Sequence, residues 1–298
     1  MKYNKVIVEN VEEKDTIYTY LKRNGFSENY VRNLRKQEGY ILLNGESAHT
    51  DFKIKNGDVI ETICNPNTKT SIMHCIIPLN VVFEDEHVVV IDKPSGLSTS
   101  ASRSHYTQNL TGAIMHYMKD KDENFVVRII NRLDKDTAGL VIVAKHSLAS
   151  KLLNEKTEIT KTYYAICTGE IKDSITINEP IETTLNELGF NNNKRIISPS
   201  GKPAITHCTP LAFDGENTLC RITIEHGRTH QIRVHMSHIG HALLGDELYG
   251  KKSSIISHTA LVCKEISFTH PITKQKIELN AQFEKEFVFA FNKCLSIF

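Results

Sequence analysis

The spacing of hydrophobic positions divides the chain into a short amino-terminal part with helices and a longer part dominated by strands. At the amino-terminal end, apolar positions at helical intervals predict a helix over residues 16–25, capped by Asp15, and a second helix over residues 27–38. Strand-like runs follow at 40–43 and 52–63, and each is accompanied by an Asn-Gly pair that is typical of a tight turn.

Beyond a linker-like segment at 65–71, the pattern changes to strands with few helices between them. Apolar and β-branched runs predict strands at 81–83, 88–91, 140–144, 163–167, 204–208 and 219–224. Helical spacing occurs at 110–118, 148–154, 229–239 and 284–294. Because strands and helices do not alternate regularly, we expect an α+β domain on a mixed, mainly antiparallel sheet and not a doubly wound parallel sheet.

Length and composition are those of a folded protein with room for one large and one small domain. The chain has 298 residues, 40% of them hydrophobic, and its longest apolar runs are far shorter than the roughly 20 residues of a membrane-spanning helix. The amino terminus shows no apolar signal core, so we expect a cytoplasmic protein without a membrane partner. The seven cysteines form no C-x-x-C pair and are predicted to be reduced thiols.

The net charge of +1 does not indicate an acidic partner, but the predicted helix pair is locally basic. Six basic residues against two acidic ones give a local excess of +4; the basic residues are Lys14, Lys22, Arg23, Arg32, Arg35 and Lys36. This helix-helix-strand unit resembles the ribosomal-protein-S4-like RNA-binding domain, which implies two basic helices that hold an RNA backbone. A basic helix face that only meets water is the alternative interpretation.

The segment from Asn131 to Leu140 runs from polar and charged residues straight into an apolar strand. A carboxylate at such a strand edge is held rigidly while it stays open to a cleft. Asp134 and Asp136 are the candidates, and both also fit turn residues that accept hydrogen bonds from local backbone donors.

A second segment, residues 226–241, combines five histidines with Arg233. Ile232, Met236 and Ile239 form an apolar stripe at helical spacing, which leaves Arg233 partly buried on its flank. A half-buried arginine needs a carboxylate partner.

The same histidines raise the question of a metal site. In a continuous helix His230 and His241 would lie about 16 Å apart, too far to share one ion, and only His235 and His238 share a face. Without a cysteine partner or an H-E-x-x-H pattern, we expect no metal.

A third segment, a strand from Lys161 to Gly169, puts Lys161, Tyr163 and Ala165 on one face. An aromatic residue in such a strand usually belongs to the core, so the pattern alone leaves both a core role and a site role open for Tyr163.

Taken together, these segments resemble the signature blocks of RluA-type RNA pseudouridine synthases, in the order found in that family. The blocks are Arg132-Leu133-Asp134 with Thr137 and Gly139-Leu140, Lys161-x-Tyr163 with Ala165 and Gly169, and Gly227 to His235 with Gly240-His241 and Gly245-Asp246-x-Leu248-Tyr249-Gly250. Lys93-Pro94-x-Gly96-Leu97 upstream and His258 to Thr273 downstream agree with the same family. Two positions depart from the common pattern, Asn131 in place of histidine and Ala138 in place of serine.

The resemblance implies a pseudouridine synthase fold whose central sheet is flanked by helices and carries a catalytic cleft. We expect three parts: an S4-like domain of small α/β type over residues 1–64, a linker over 65–75 and the catalytic domain over 76–298. A monomer without cofactor or metal is expected.

The resemblance also implies a catalytic role for Asp134, with Arg233 as its partner and Tyr163 as a flat face for uracil. Asp134 either attacks ribose C1′ or takes the C2′ proton, and both routes need the ionised carboxylate. The target uridine has to be flipped out of its RNA helix, and Arg132 would fill the gap.

Phosphates would be held by a set of basic residues: Arg228, His230, Lys22, Arg23, Arg32, Arg35 and Lys36. Ribosomal large-subunit RNA is the favoured substrate and transfer RNA the alternative. Two other functions stay open from the residues alone, a non-catalytic RNA-binding or ribosome-assembly protein and a glycoside hydrolase that uses Asp134 and Asp136 as a carboxylate pair.

Overall fold

A computed structural model describes residues 3–26, 28–35, 38–63, 73–100, 108–121, 125–155, 157–185 and 191–291. In the first part, the elements are β1 Tyr3–Ile7, α1 Ile17–Arg23, α2 Glu28–Leu34, β2 Ile41–Leu43, β3 Glu46–Ser47 and β4 Val59–Ile63. In the second part, they begin with β5 Asn80–Glu84, β6 Val88–Lys93, α3 Leu110–Met118, β7 Arg128–Ile129, β8 Ala138–Ala144, α4 Ser147–Glu155 and β9 Ile159–Thr168. The remaining elements are β10 Ile175–Asn178, β11 Ile181–Leu185, β12 Asn191–Ile197, β13 Ile205–Phe213, β14 Asn217–Glu225, α5 Gln231–His238, β15 Leu261–Thr269, β16 Lys276–Asn280 and α6 Lys285–Ala290.

The amino-terminal part forms its own antiparallel sheet in the order β1-β4-β2-β3, with α1 and α2 packed on it. The turn between β2 and β3 is the predicted Asn-Gly pair, and Asn44 and Gly45 both have positive φ, 54° and 88°. Such backbone angles match the twist of a two-residue hairpin, so this prediction is confirmed.

The predicted cap of the first helix was wrong. Thr16 caps α1, because its hydroxyl accepts from the Thr19 amide while the Thr19 side chain accepts from the Thr16 amide. Asp15 lies one residue too early for this role and instead closes the preceding turn by accepting from the Glu12 amide.

Several predicted elements are also shorter in the structure. Helix α2 ends at Leu34. Of the predicted strand 52–63, only 59–63 forms a strand of the sheet, whereas Lys53 makes an isolated bridge to Thr16 and the turn at Asn56-Gly57 separates the two. Helix α6 spans Lys285–Ala290, and the end of the prediction at 292–294 lies outside the described residues, as do Ser27, the segment 65–71 and Lys36.

The second part is built on a large mixed sheet in the order β10-β13-β14-β9-β15-β8-β6-β5, with β16 beside β15 and β7 beside β8. Every pairing in it is antiparallel except β8 with β15, which is parallel. The predicted mixed, mainly antiparallel sheet is therefore confirmed. The single parallel pairing joins its two antiparallel halves.

The parallel pairing depends on a close approach at Gly139. A Cβ atom at this position would lie 2.2 Å from the Cys263 carbonyl oxygen, and Gly139 has a φ of +113° that other residues rarely adopt. Gly139 faces Cys263 on β15, and Cys263 in turn faces Tyr163 on β9. The register therefore carries the start of β8 close to Tyr163.

Two apolar layers cover the sheet on opposite faces. Tyr163 and Ala165 of β9 join the core that contains α3 and α4, whereas Tyr164 and Ile166 join a layer that contains α6. Strand β8 is buried along its whole length, as expected of a central strand covered on both faces.

Helix α4 also carries the contact with the amino-terminal part. Leu148 belongs to the apolar cluster of α1, α2 and their sheet, and Leu152 packs against the same cluster. Within the described ranges, no helix is both long enough and apolar enough to cross a membrane. Among the described cysteines, Cys167, Cys208, Cys220 and Cys263 are buried and form no disulfide, as expected of reduced thiols, and Cys75 is buried as well.

Candidate active site

Asp134 lies in the turn that leads into β8, and its neighbours are anchored to the core. The Asn131 side chain bridges to β8, donating to the Leu140 carbonyl at 3.0 Å and accepting from the Ile142 amide at 2.8 Å. The Thr99 hydroxyl donates to the Leu133 carbonyl at 2.5 Å, and the Lys93 ammonium donates to the Lys135 carbonyl at 3.1 Å. These bonds hold the backbone on both sides of Asp134, whose side chain stays 26% exposed.

Lys93 is fully buried beneath this turn. Its ammonium also donates to the carbonyls of Pro94 and Leu97, so it joins the 94–97 loop to the Asp134 turn. Burial is the main reason why the pKa of Lys93 is lowered to about 8.

Arg233 projects from α5 toward Asp134, but its principal partner is another carboxylate. The guanidinium binds buried Asp246 through two parallel bonds, Nε to Oδ2 at 2.7 Å and Nη2 to Oδ1 at 2.8 Å. The third nitrogen, Nη1, lies 3.7 Å from Asp134 Oδ2. The prediction of a carboxylate partner was thus incomplete, because Asp246 takes the bidentate pairing and Asp134 receives the remaining nitrogen.

Asp246 is held in turn by the backbone around it. Its carboxylate accepts from the amides of Leu248 and Tyr249, and Gly245 just before it packs directly against the backbone of His258. A Cβ at Gly245 would lie 2.3 Å from the His258 carbonyl oxygen, so glycine is required there. Asp246 carried no assigned role in the sequence analysis, although the Gly245-Asp246 pair was part of a signature block.

His230 is the second nitrogen donor that approaches Asp134. Its Nε2 lies 3.9 Å from Asp134 Oδ2, and its Nδ1 lies 3.0 Å from the Tyr249 hydroxyl. The predicted helix 229–239 begins only at Gln231, because His230 has a left-handed φ of 57°. A phosphate contact of His230 stays a prediction; in the structure its ring lies beside Asp134.

Tyr163 forms part of the wall of a cavity of about 530 Å³ that also contains Asp134 and Arg233. Burial, followed by the nearby Cys263 thiol and the charge of Asp134, raises the pKa of Tyr163 well above its ordinary value. Its hydroxyl is therefore protonated at neutral pH in the free protein. Lys161, two residues earlier on the same face of β9, lines the cavity as well and was not among the predicted site residues.

A second cavity of about 680 Å³ also borders the Asp134 turn. Arg132, Asp134, His230 and Arg233 line both cavities, so the turn forms a shared wall between them. Arg132 is exposed at this wall, where a planar cation can reach into either space. Arg228 lines only the first cavity, and its guanidinium donates to the Pro203 carbonyl.

The other described residues that were predicted to contact RNA lie in the amino-terminal part and line neither cavity; they are Lys22, Arg23, Arg32 and Arg35. Arg23 pairs with Asp15 and Glu12, whereas Lys22 and Arg32 both pair with Glu28. The Arg35 guanidinium donates to the Thr50 hydroxyl and lies over the Tyr18 ring. Acidic partners thus offset part of the local positive charge that the sequence predicted on these helices.

The histidines of this region do not form a metal-binding set. Across the described ranges, no group of three or more histidine, cysteine, aspartate or glutamate side chains is placed to hold an ion. His235, one of the predicted pair with His238, is buried and has its ring nitrogens next to the Thr206 hydroxyl and the Glu179 carbonyl.

This arrangement suits one carboxylate acting beside a flat aromatic wall. Asp136 does not extend a strand from Asp134, because residues 134–137 form a turn closed by the Thr137 amide and the Asp134 carbonyl. A glycosidase that uses Asp134 and Asp136 as alternate residues of one extended strand is therefore not supported by this turn.

Comparison with known proteins gives a consistent result. Residues 87–238 match the protein-family model described as RNA pseudouridylate synthase. The chain is 34% identical over 249 residues to the uncharacterised RNA pseudouridine synthase YhcT of Bacillus subtilis (strain 168), an alignment that covers 82% of this chain and 81% of that protein. It is also 34% identical over 272 residues to the ribosomal large subunit pseudouridine synthase D of Vibrio parahaemolyticus, with 84% and 82% of the two chains covered.

A solved structure shares the fold. The human protein RNA Pseudouridylate Synthase Domain Containing 4 aligns with a TM-score of 0.57 at 19% identity, covering 72% of this chain and 92% of that one.

Proposed function

The chain belongs to the RNA pseudouridylate synthase family, and we propose that Asp134 is the residue with which it isomerises uridine to pseudouridine. The observation that carries this proposal is the position of the Asp134 carboxylate. It lies at the shared wall of two cavities, 3.7 Å from Arg233 Nη1 and 3.9 Å from His230 Nε2. The guanidinium gives the carboxylate a positively charged neighbour with a planar, fixed geometry.

The reaction exchanges one bond to ribose for another. The bond between C1′ and N1 of uracil breaks, the released base rotates, and a bond forms between C1′ and C5. C5 gives up its proton, and N1 ends with one. Asp134 assists the first step by attacking C1′ or by removing the C2′ proton, and Arg233 orients it in both cases.

Tyr163 supplies the flat wall that holds the detached base in the first cavity. A buried ring keeps uracil against one face while it turns, and Ile232 and Leu261 line the same cavity with apolar side chains. Because the hydroxyl starts protonated, it takes up the C5 proton only by passing its own proton on. We therefore assign Tyr163 mainly to holding the base.

Access to C1′ requires the uridine to leave its stack, at a cost of about a few kcal/mol. Arg132 is exposed at the wall between the cavities and carries a planar group that stacks on bases, so it suits the space that the flipped nucleotide leaves. Arg228 at the first cavity is suited to a flanking phosphate.

We assign residues 1–64 to an S4-like RNA-binding domain and 76–298 to the catalytic domain, joined by 65–75. A separate antiparallel sheet with two helices packed on it, the first of which has Lys22 and Arg23 in its last turn, supports the first assignment. Relatives named as large-subunit synthases support ribosomal large-subunit RNA as the substrate, with transfer RNA as the alternative within the same family.

The test is the Asp134→Asn variant, which keeps the size of the side chain and removes its charge. Turnover should fall by about 10²–10⁴-fold, the usual contribution of a positioned acid or base, while RNA affinity changes little. Release of tritium from RNA labelled at uracil C5 measures turnover directly, since C5 loses its proton in the reaction.

Asp136→Asn is the matched control, two residues further along the same turn, and its turnover should stay close to that of the unaltered protein. Retained turnover in Asp134→Asn would remove Asp134 from the mechanism. Pseudouridine mapping in total RNA from cells with and without the protein then identifies the target and separates ribosomal from transfer RNA.

A further inference from the structure

Tyr249 connects three parts of the molecule at a single hydroxyl. Its oxygen accepts a hydrogen bond from the Arg195 backbone amide at 2.7 Å, and it lies 3.0 Å from His230 Nδ1. Arg195 belongs to β12, which pairs with β11 in a hairpin apart from the central sheet. One side of the Tyr249 hydroxyl therefore touches this hairpin and the other side touches the ring next to Asp134.

The donors and acceptors of this contact favour one tautomer of His230. A tyrosine hydroxyl has one proton to donate, and the Arg195 amide has to donate to its oxygen. The hydroxyl can then donate to His230 Nδ1, whose lone pair accepts the hydrogen bond. In the opposite tautomer, Nδ1–H and the Arg195 amide would both point at the oxygen, and the hydroxyl proton would be left without this acceptor.

Asp134 favours the same tautomer from the other end of the ring. His230 Nε2 lies 3.9 Å from Asp134 Oδ2, where a proton on nitrogen is attracted to the carboxylate and a bare lone pair is repelled. The contacts at both ring nitrogens thus favour a neutral imidazole that carries its proton on Nε2.

The backbone of His230 shows that the surroundings hold this ring in place. A non-glycine residue at a φ of 57° is strained, and such strain persists only where neighbouring contacts hold it. The Tyr249 ring supplies one of these contacts, since its centroid lies 5.6 Å from that of His230 at 80°. The same ring lies against the Arg233 guanidinium, 5.2 Å from its carbon.

We propose that Tyr249 is a positioning residue that fixes His230 as the Nε2–H tautomer facing Asp134 and couples this ring to the β11–β12 hairpin. Arg195 lines the second cavity and Lys194 lies over the Tyr249 ring. RNA bound along the hairpin would therefore be connected to the ring beside Asp134 by two hydrogen bonds, one between the Arg195 amide and the Tyr249 hydroxyl and one between that hydroxyl and His230. The catalytic part of this inference rests on the proposed role of Asp134, whereas the tautomer does not.

The first test is made on the unaltered protein and needs no variant to fold. Histidine-selective ¹⁵N labelling gives the side-chain resonances, and the signal lost in His230→Gln identifies His230. At pH 7 we expect a protonated Nε2 and an unprotonated Nδ1. A protonated Nδ1, alone or in an imidazolium, would overturn the proposal.

The second test is Tyr249→Phe, which keeps the ring against Arg233 and removes only the hydroxyl. We expect kcat to fall about tenfold, the size of one lost hydrogen bond, with KM for RNA changed much less. The His230 spectrum should show both tautomers. Tyr164→Phe is the matched control, because its hydroxyl binds Glu265 within the opposite apolar layer, and its kcat should be unchanged.

The pH profile separates positioning from a purely structural role. Besides Tyr249, His230 faces the carboxylates of Asp134 and Asp246 and the guanidinium groups of Arg233 and Arg195. Burial is the main cause that lowers its pKa, and a hydroxyl donating to Nδ1 opposes protonation further. Without that hydroxyl the pKa of His230 rises, so the imidazolium forms at higher pH and draws Asp134 into an ion pair.

The acidic decline of kcat/KM should therefore begin at higher pH in Tyr249→Phe than in the unaltered protein. An unchanged profile with unchanged tautomer, even with a lower melting temperature, would reduce Tyr249 to a packing residue and overturn the proposal. If instead Asp134→Asn stays active while the tautomer is as expected, the proposed function fails and the Tyr249–His230 arrangement stands.

Discussion

Arg233 is both a buried charge and a neighbour of the Asp134 carboxylate. Two of its nitrogens are taken by the fully buried Asp246, which compensates the cost of burying the guanidinium. This bidentate pairing sets the plane of the group, so that Nη1 points toward Asp134 at 3.7 Å. Asp134 thereby faces a fixed positive group while its own side chain stays accessible from the cavity.

Arg233→Lys should therefore lower kcat strongly, although it keeps the positive charge. A single ammonium cannot bond both Asp246 oxygens and still face Asp134, so we expect a loss of about 10²–10³-fold, as for removal of one donor at a reacting centre. Turnover on labelled RNA measures the effect, and exposed Arg221→Lys on β14 is the matched control. Turnover near that of the unaltered protein would contradict the orienting role of Arg233.

At the scale of elements, the site depends on how closely β8 and β15 approach each other. Their parallel pairing is short, Val262 with Ala138 and Cys263 with Gly139, yet it joins the two antiparallel halves of the sheet. The Asp134 turn lies just before this pairing and Tyr163 lies across β15 from it. A small separation of these strands would therefore move Asp134 away from the Tyr163 wall.

Gly139→Ala should be strongly destabilising for this reason. The new methyl group would lie 2.2 Å from the Cys263 carbonyl oxygen, and alanine would also adopt an unfavourable φ. We expect the free energy of unfolding to drop by at least about 2 kcal/mol, measured by urea denaturation.

Gly215→Ala separates the two causes. Gly215 has a similar φ of +103°, but nothing lies within 4 Å of the position that an alanine methyl group would take there. This variant therefore carries the backbone strain alone and should lose less stability. Equal losses in the two variants would contradict the close strand approach as the reason for glycine at 139.

At the scale of the whole molecule, the cavities lie in the second part of the chain and the helices α1 and α2 lie in the amino-terminal part. The two parts contact each other at α4. The apolar cluster of the amino-terminal part includes Leu148, so the two parts share a packed contact in addition to the chain that connects them. Such a contact gives the helices α1 and α2 a defined place relative to α4. RNA held by both parts would then be presented to the cavity in a restricted orientation.

Arg32 is suited to testing the contribution of the amino-terminal part, because its side chain is 70% exposed and its partner Glu28 is also accessible. If Arg32 contacts a phosphate, Arg32→Gln should raise Kd for RNA and lower the slope of log K against log salt by about 0.7–0.9. Saturating RNA should restore kcat, since Arg32 does not line either cavity.

Lys276→Gln is the matched control, a change of one exposed charge on β16. It should leave both Kd and the salt slope unchanged. A salt slope that is equally unchanged in Arg32→Gln would leave α2 as a helix face that meets only water.

Local chemistry along the chain was enough to predict most strands of the large sheet, whereas the roles of Asp134, Tyr163 and Arg233 came from the family resemblance. Period-two and apolar runs report burial directly, and the signature blocks place Asp134, Tyr163 and Arg233 in distinct segments of known order. Helix ends were less predictable: Asp15 and Thr16 are both good caps, and only the backbone angles of Thr16 show which one acts.

The tertiary structure alone decided which groups contact one another. Asp246 pairs with Arg233, Tyr249 reaches both His230 and the Arg195 amide, and Lys93 supports the Asp134 turn from below. Each of these contacts joins segments that no periodicity relates, since it depends on the close approach of strands at Gly139 and of loops at Gly245. Residue types and their spacing describe what a side chain can do, whereas long-range packing determines the partner with which it does so.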